Sequence, residues 1–263
     1  MDYDLWLGAA PKRPFNPNRF HYEWLWNFDY GAGDLGNQGI HQMDIARWAL
    51  GQNRLPDGVQ TLGGRFGYVD QGNTPNTAVA VFDYPGAPLV FEVRGLKTDP
   101  LQGATIGNIV YGENGTVVFT ANYGKAAAFD KSGNPLETFS GAGNHFAAFI
   151  AAVKSRKQSD LAAPILDGHL SSSLCHLGNV SYRLGQKIRF SEGAKAWEKN
   201  AAGSEALGRM TEHLKASGND VSIETVELTV GRKLSFDAKK ERFQRDREAD
   251  RMLTREYRKG FEI

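Results

Sequence analysis

A chain of 263 residues, 41% of them apolar, has material for one large domain or two small ones with a real core. With 31 Lys and Arg against 30 Asp and Glu the net charge is +1, which excludes the broad basic face of a nucleic-acid or acidic-membrane binder. The single cysteine, Cys175, excludes an internal disulfide framework and a cysteine-based zinc site.

Residues 1–20, rich in Pro, Gly, Asn and Arg, read as a linker-like leading segment, followed by a domain over 21–263. They lack the basic and apolar regions of a signal peptide, and no apolar run in the chain approaches the roughly 20 residues of a membrane span. Trp6, Phe15 and Phe20 want burial, so the segment is expected to be an ordered loop. Tyr22, Trp24, Trp26, Phe28 and Tyr30 fall at even spacing, which predicts a strand. Gly31, Gly33 and Gly36 then spell G-x-G-x-x-G. A helix is expected from Asn37, as N-cap, to a stop at Gly51.

After residue 56 come "GVQTLGGRFGYV", "TAVAVFDY", "PLVFEVRGL", "ATIGNIVYG" and "GTVVFTA". These β-branched, alternating segments, divided by Gly, Pro and Asn, predict consecutive antiparallel strands. Asn114-Gly115 is a hairpin signal and 131–135 a further turn. Helices are expected over "NHFAAFIAAVKSRK", over "DGHLSSSLCHLGNVSYRLG" closed by Gly185, and near 203–216. A strand, "SIETVELTV", follows, and the charged stretch from Phe236 on is helical in pattern. The plan is α+β: one large, mostly antiparallel open β-sheet with helices packed on one face.

The glycine triplet is the literal dinucleotide fingerprint, but its context argues against that use. A hydrophobic strand must feed such a loop and a βαβ unit must surround it. Here the preceding run is aromatic and polar, Asp34 would repel a pyrophosphate, and a meander follows. What the stretch offers instead is His41, four residues after Asn37 and expected on the same helix face, with Asp44 continuing that face. The positive end of a helix dipole favours the neutral imidazole, which can accept a proton from a hydroxyl. The bland reading of His41 is a packed structural histidine. Arg13, Arg19, His21 and Tyr22 suit a cluster of sugar hydroxyls or a carboxylate, or they are loop residues in solvent. Trp24 and Trp26 could stack on a sugar ring or fill the core. His169 and His176 lie two turns apart on one helix, about 10 Å along the axis, too far for one zinc ion; the stripe they share with Ser172, Ser173 and Arg183 faces a cleft or forms a buried network. Cys175, among apolar neighbours, is expected to be inert. The sequence contains no nucleophile elbow, P-loop or zinc spacing.

Several long motifs stand in order: "DYDLWLGAAPKRPFNPNRFHYEW", "GDLGNQGIHQMDIARW", "GHLSSSLCHLGN" with "SYRLG", and "LTREYRKGF". Through them residues 1–260 resemble the C-terminal domain of the glucose–fructose oxidoreductase, inositol dehydrogenase and MocA-like family (Gfo/Idh/MocA), in its bacterial branch. The resemblance implies a substrate-binding and oligomerisation domain whose partner, an N-terminal Rossmann domain, binds NAD or NADP. That domain's glycine fingerprint and Glu-Lys-Pro motif are not in this sequence. The family's D-x-x-x-H motif places its acid/base histidine at His41. Asn37 stands where the aspartate is expected, so the charge that would stabilise an imidazolium is missing.

The resemblance therefore implies part of an NAD(P)-dependent oxidoreductase for sugars or polyols, inactive without its cofactor domain and self-associating through its sheet. His41 and Asn37 would be catalytic. Arg13, Arg19, His21, Tyr22, Trp24, Asp44, His169 and His176 would bind substrate. Two alternatives stay open: a non-catalytic carbohydrate-binding or scaffold subunit, and a relative that cleaves glycosides with redox assistance. The sugar, the choice of NAD or NADP, and the compartment, cytoplasmic or exported, are not legible.

Overall fold

The computed structural model describes residues 1–141, 143–222 and 224–262. In chain order the elements are α1 (Tyr3–Leu7), α2 (Gly33–Gly36), α3 (Gly39–Ala49), β1 (Gly58–Gly64), β2 (Thr77–Asp83), β3 (Leu89–Arg94), β4 (Gly107–Gly112), β5 (Gly115–Thr120), β6 (Lys125–Asp130), β7 (Pro135–Ser140), α4 (His145–Ser155), α5 (Ile165–Arg183), β8 (Gln186–Arg189), α6 (Ala201–Ala216), β9 (Glu227–Val230), β10 (Leu234–Asp237), β11 (Arg242–Phe243) and α7 (Arg247–Arg251). Short 3-10 helices include Pro17–Arg19 and Glu23–Trp26. The residues fall into two compact units. The first comprises Met1–Ile40, Arg54–Lys97 and Ser173–Ile263; the second comprises His41–Asn53 and Thr98–Ser172.

In the first unit a seven-stranded sheet runs β11-β10-β1-β2-β3, with β9 also pairing β1 and β8 pairing β9, all antiparallel. The pairs Val59↔Phe82 and Thr61↔Ala80 put one set of side chains on one face, and Leu62↔Val79 puts the next set on the other. Leu62, Val79 and Val81 join Leu207, Met210 and Leu214 of α6 and Trp197 in the main core. The opposite face meets the C-terminal half of α5. Gly178 there lies so close to Leu35, Thr61 and Phe82 that a Cβ would sit 2.8 Å from the Leu35 side chain. The Thr61 hydroxyl donates to the Gly178 carbonyl at 2.9 Å. This two-sided cover explains why β2 is buried from Thr77 to Phe82.

The second unit holds a four-stranded antiparallel meander, β4-β5-β6-β7. Gly112↔Gly115 closes its first hairpin, so Glu113 and Asn114 form the loop and Gly115 opens β5, one position earlier than the Asn-Gly signal suggests. At the 131–135 turn the Asp130 carboxylate accepts from the Ser132 and Asn134 amides and the Asn134 side chain, which substitutes for ladder bonds.

The α+β class, the antiparallel pairing and the packing of helices on sheet agree with the sequence expectation. The strands, however, divide into two sheets, and the larger has helices against both faces. The expected aromatic strand is absent from 22–30. A 3-10 helix, Glu23–Trp26, and a turn replace it, because Asn27 bonds back to Trp24, Gly31 bonds back to Asn27, and the Asn73 side chain holds the Phe28 amide. The charged C-terminal stretch forms β10, β11 and only a five-residue helix, because Phe236 and Phe243 pair edge to face in the core. The expected 222–230 strand is confined to β9; its Ile223 lies outside the described residues.

Candidate functional site

The glycine loop is explained by its protein neighbours. A Cβ on Gly31 would come 2.6 Å from the Leu25 carbonyl oxygen; on Gly36 it would come 2.3 Å from Ala32 Cβ. Gly33 has φ +62° and packs on Thr74, a conformation that costs an L residue about 1 kcal/mol or more. No strand feeds the loop, and burial pushes the Asp34 carboxyl up, with Arg65 pulling it back. The loop lacks the preceding strand of a dinucleotide-binding turn, and close contacts with Leu25, Ala32 and Thr74 account for its glycines.

The expected site residues divide between the units. In the first, the Asn37 amide donates to the Tyr22 hydroxyl at 3.2 Å, so two of them meet on an exposed surface. Asn37 is not the N-cap of the His41 helix. It ends α2 with φ −91° and ψ −82°, and α3 starts two residues later. The expected shared helix face therefore does not form. Arg13 pairs with Asp29 at 2.7 Å. Half-buried Arg19 ends a 3-10 helix, and its charge reaches the Tyr3 phenol. His21 has φ +49° and packs against Phe20, with ring centroids 4.7 Å apart. Trp24 stays exposed, whereas Trp26 lies half-buried under the Arg65 guanidinium, 5.3 Å from the ring centre. The two tryptophans therefore form no common stacking face.

His176 is solvent-exposed on α5, yet protein crowds it; that desolvation, followed by the nearby Arg255 charge, holds its imidazole below the ordinary range. Arg183, two turns on, lies 5.0 Å over the Phe28 ring. Arg255 donates to the carbonyl oxygens of Phe28, at 2.6 Å, and Asp29, at 2.8 Å. The sequence reading did not single out Arg255 or Phe28 as site residues. Arg255 lies in the quoted motif "LTREYRKGF" and Phe28 in the aromatic run, but nothing local in a sequence joins residues 28, 183 and 255.

In the second unit His41 is the third residue of α3 and exposed, with the Tyr123 ring 5.7 Å away and tilted by 36°. Six residues further, nearly two turns along α3, Arg47 is wholly buried. Its guanidinium donates to the Ser171 hydroxyl at 3.1 Å, the Gln52 carbonyl at 2.9 Å and the Asp167 carboxylate at 2.9 Å. The Ser171 hydroxyl donates in turn to Asp44 at 2.5 Å. Asp44 therefore has the structural partner that its spacing left open, and the network fastens the His41 helix to residues 167–171. His169, between the anchoring Asp167 and Ser171, is exposed, and its carbonyl accepts from the Ser172 hydroxyl at 3.2 Å.

Cys175 is buried, and burial pushes its thiol up to about 12, as expected of an inert cysteine. Among the described residues no group of three or more His, Cys, Asp or Glu could hold a metal ion. No helix among them is long and apolar enough to cross a membrane.

Comparison with known proteins gives one family match, over the first part of the chain. Residues 1–61 match the model of the oxidoreductase family C-terminal alpha/beta domain. No curated protein matches the chain. Among solved structures, a protein assigned to the oxidoreductases from Thermotoga maritima is 19% identical over 52% of this chain and 41% of its own, with TM-score 0.40. One from Klebsiella pneumoniae is 18% identical over 54% and 45%, at 0.39, and one from Bacteroides fragilis 16% identical over 60% and 50%, at 0.40. At these scores the likeness decides nothing about function, and the chain spans half or less of the length of these structures. The match over residues 1–61 falls on the first two motifs read from the sequence, and over that segment the chain is similar to the C-terminal domain of this oxidoreductase family.

Proposed function

We propose that this chain is the substrate-binding part of an oxidoreductase that acts on sugars or polyols, with His41 as the proton acceptor for the substrate hydroxyl. The observation that carries the reading is an exposed imidazole on a helix that is locked, nearly two turns on, by a buried arginine. That combination leaves the ring reachable while fixing its base, as a group that must meet a hydroxyl within hydrogen-bond reach requires. When the alcohol is oxidised, the hydroxyl proton passes to His41. The hydride acceptor, NAD or NADP by family resemblance, has no seat in the glycine loop, and the chain alone is proposed to be inactive.

Asn37 is tied to Tyr22 and adds no charge, which also favours a second reading, a carbohydrate-binding or scaffold subunit. Ligand-observed NMR with a panel of sugars and polyols separates the outcomes. A neutral sugar that binds saturably, and is lost in His41→Ala with the fold intact, supports the acid/base position. Binding that His41→Ala leaves unchanged but Tyr22→Phe weakens supports the binding module. No binding by any sugar or polyol removes both. Titration of the same protein with NADH and NADPH is expected to give no heat of binding.

Self-association belongs, in this reading, to the four-stranded sheet, because the larger sheet is covered on both faces. Edge strand β7 is exposed along its whole length, including Leu136 and Phe139, and such an edge is a ready pairing surface. Leu136→Ser with Phe139→Ser is expected to turn an oligomer into a monomer in analytical ultracentrifugation. An unchanged oligomer would place the contact elsewhere.

A further inference from the structure

Three arginines from distant parts of the chain converge on the dipeptide Phe28–Asp29. Arg13 pairs with the Asp29 carboxylate at 2.7 Å, Arg255 takes both backbone carbonyls, and Arg183 lies over the Phe28 ring. Three guanidinium groups share one carboxylate, so the cluster carries an excess of two positive charges, although the whole chain has a net charge of only +1. Arg255 commits donors to two carbonyls and keeps others of its five free for a ligand. Among the described residues no carboxylate bonds to Arg183, and the charges that reach it are those of Arg255 and Asp29. His176 stands two turns before Arg183 on the same face of α5. Both side chains are solvent-exposed and so open to a ligand. The Phe28 ring, with Tyr182 at 6.4 Å, supplies an apolar floor.

We propose that Arg183, Arg255 and His176, gathered over Phe28 and Asp29, form a binding site for a small oxyanion, the carboxylate or phosphate group of a ligand. Guanidinium forks match the planar geometry of such groups and bind them in pairs. The floor suits the apolar side of a ring carrying that anion. That the ring is a sugar rests on the proposed function; the anion site itself does not.

The test uses the whole chain and four probes: inorganic phosphate, glucuronate, glucose 6-phosphate and glucose. The readout is the ring signal of His176 in carbon–proton NMR, assigned with His176→Asn. Phosphate is expected to shift it saturably at millimolar concentration, glucuronate or glucose 6-phosphate to do so at lower concentration, and glucose to leave it unmoved. Arg183→Gln, which removes an exposed charge without breaking a hydrogen bond, is expected to weaken anion binding by about tenfold, as is Arg255→Lys. His41→Ala is expected to leave it unchanged, so failure of the acid/base assignment and failure of this one are told apart. Tighter glucuronate than glucose 6-phosphate names a carboxylate ligand, and the reverse names a phosphate. No saturable shift with any of the three anions, or equal affinity in Arg183→Gln, overturns the proposal. So does a shift produced by poly-glutamate alone, which would make the patch a docking surface for acidic protein.

Discussion

Arg47 shows how much one side chain can fix. Removing a buried cation while its carboxylates remain costs about 3 kcal/mol, so Arg47→Met is expected to lower the urea midpoint sharply. The test is whether its ring environment at His41 broadens in NMR at the same time, as a loosened helix requires. His213 carries the opposite problem. It is buried near the end of α6, and neither ring nitrogen has a hydrogen-bond partner. Burial, followed by the charge of Arg94, holds its imidazole below the ordinary 6.5. The unfolded chain takes up this proton first as pH falls, so the unfolded state binds more protons below about 6.5. The contribution of His213 is fully present above that pH and is lost as pH falls towards the folded value. His176 acts in the same direction, more weakly because it is exposed. His213→Leu is expected to flatten the loss of stability between pH 8 and pH 5, read from urea midpoints at both. A variant with the wild-type slope would show that the loss comes from elsewhere. Cys175, with its thiol at about 12, is expected to resist a disulfide reagent at pH 8 until the protein is unfolded, then to react with one equivalent.

Among the elements, those set by local pattern were legible. β2, β3, β5 and the helices α4 to α6 follow alternation or a 3.6-residue period, and tertiary contacts do not override them. The aromatic run 22–30 misled because even spacing arose by accident across a 3-10 helix and a turn. What fixes that turn is Asn73, 45 residues away. Asn37 misled for a related reason: good N-cap chemistry was overruled by the short helix before it. The glycine triplet was set aside from its sequence context alone; its contacts with Leu25 and Thr74 became visible only in the fold. Gly33→Ala is therefore expected to destabilise the protein by about 2 kcal/mol, combining an unfavourable φ with a clash. A lowered melting temperature with no change in nucleotide binding would fit. An unchanged melting temperature would reopen the loop's purpose. Of the candidate site, single residues were legible; their grouping was not, since Arg183, Arg255 and Phe28 meet only through long-range packing.

Across the whole molecule, the first unit is bound end to end. Arg258 donates to the Asp4 carboxylate at 2.8 Å and to the Asp4 and Gly8 carbonyls, while its amide donates to the Ala9 carbonyl. Beside it, Tyr3, Trp6, Phe15, Phe20 and Tyr30 form one chain of ring contacts. Arg258→Ala is expected to loosen residues 1–20, so that trypsin cuts after Lys12 at least several-fold faster in limited proteolysis. An unchanged rate would mean that the aromatic contacts suffice.

That arrangement also constrains how the protein is made. The second unit's meander lies within residues 107–140, and each strand pairs with the next, so it can close as soon as it leaves the ribosome. The first unit cannot: its sheet needs β8 to β11, and its leading segment waits for Arg258. At roughly 5–20 residues per second, residues 1–40 remain unpartnered for on the order of ten seconds or more. During that interval a stretch rich in tryptophan, tyrosine and phenylalanine stands open, and it is there that a nascent chain of this protein would first engage a chaperone.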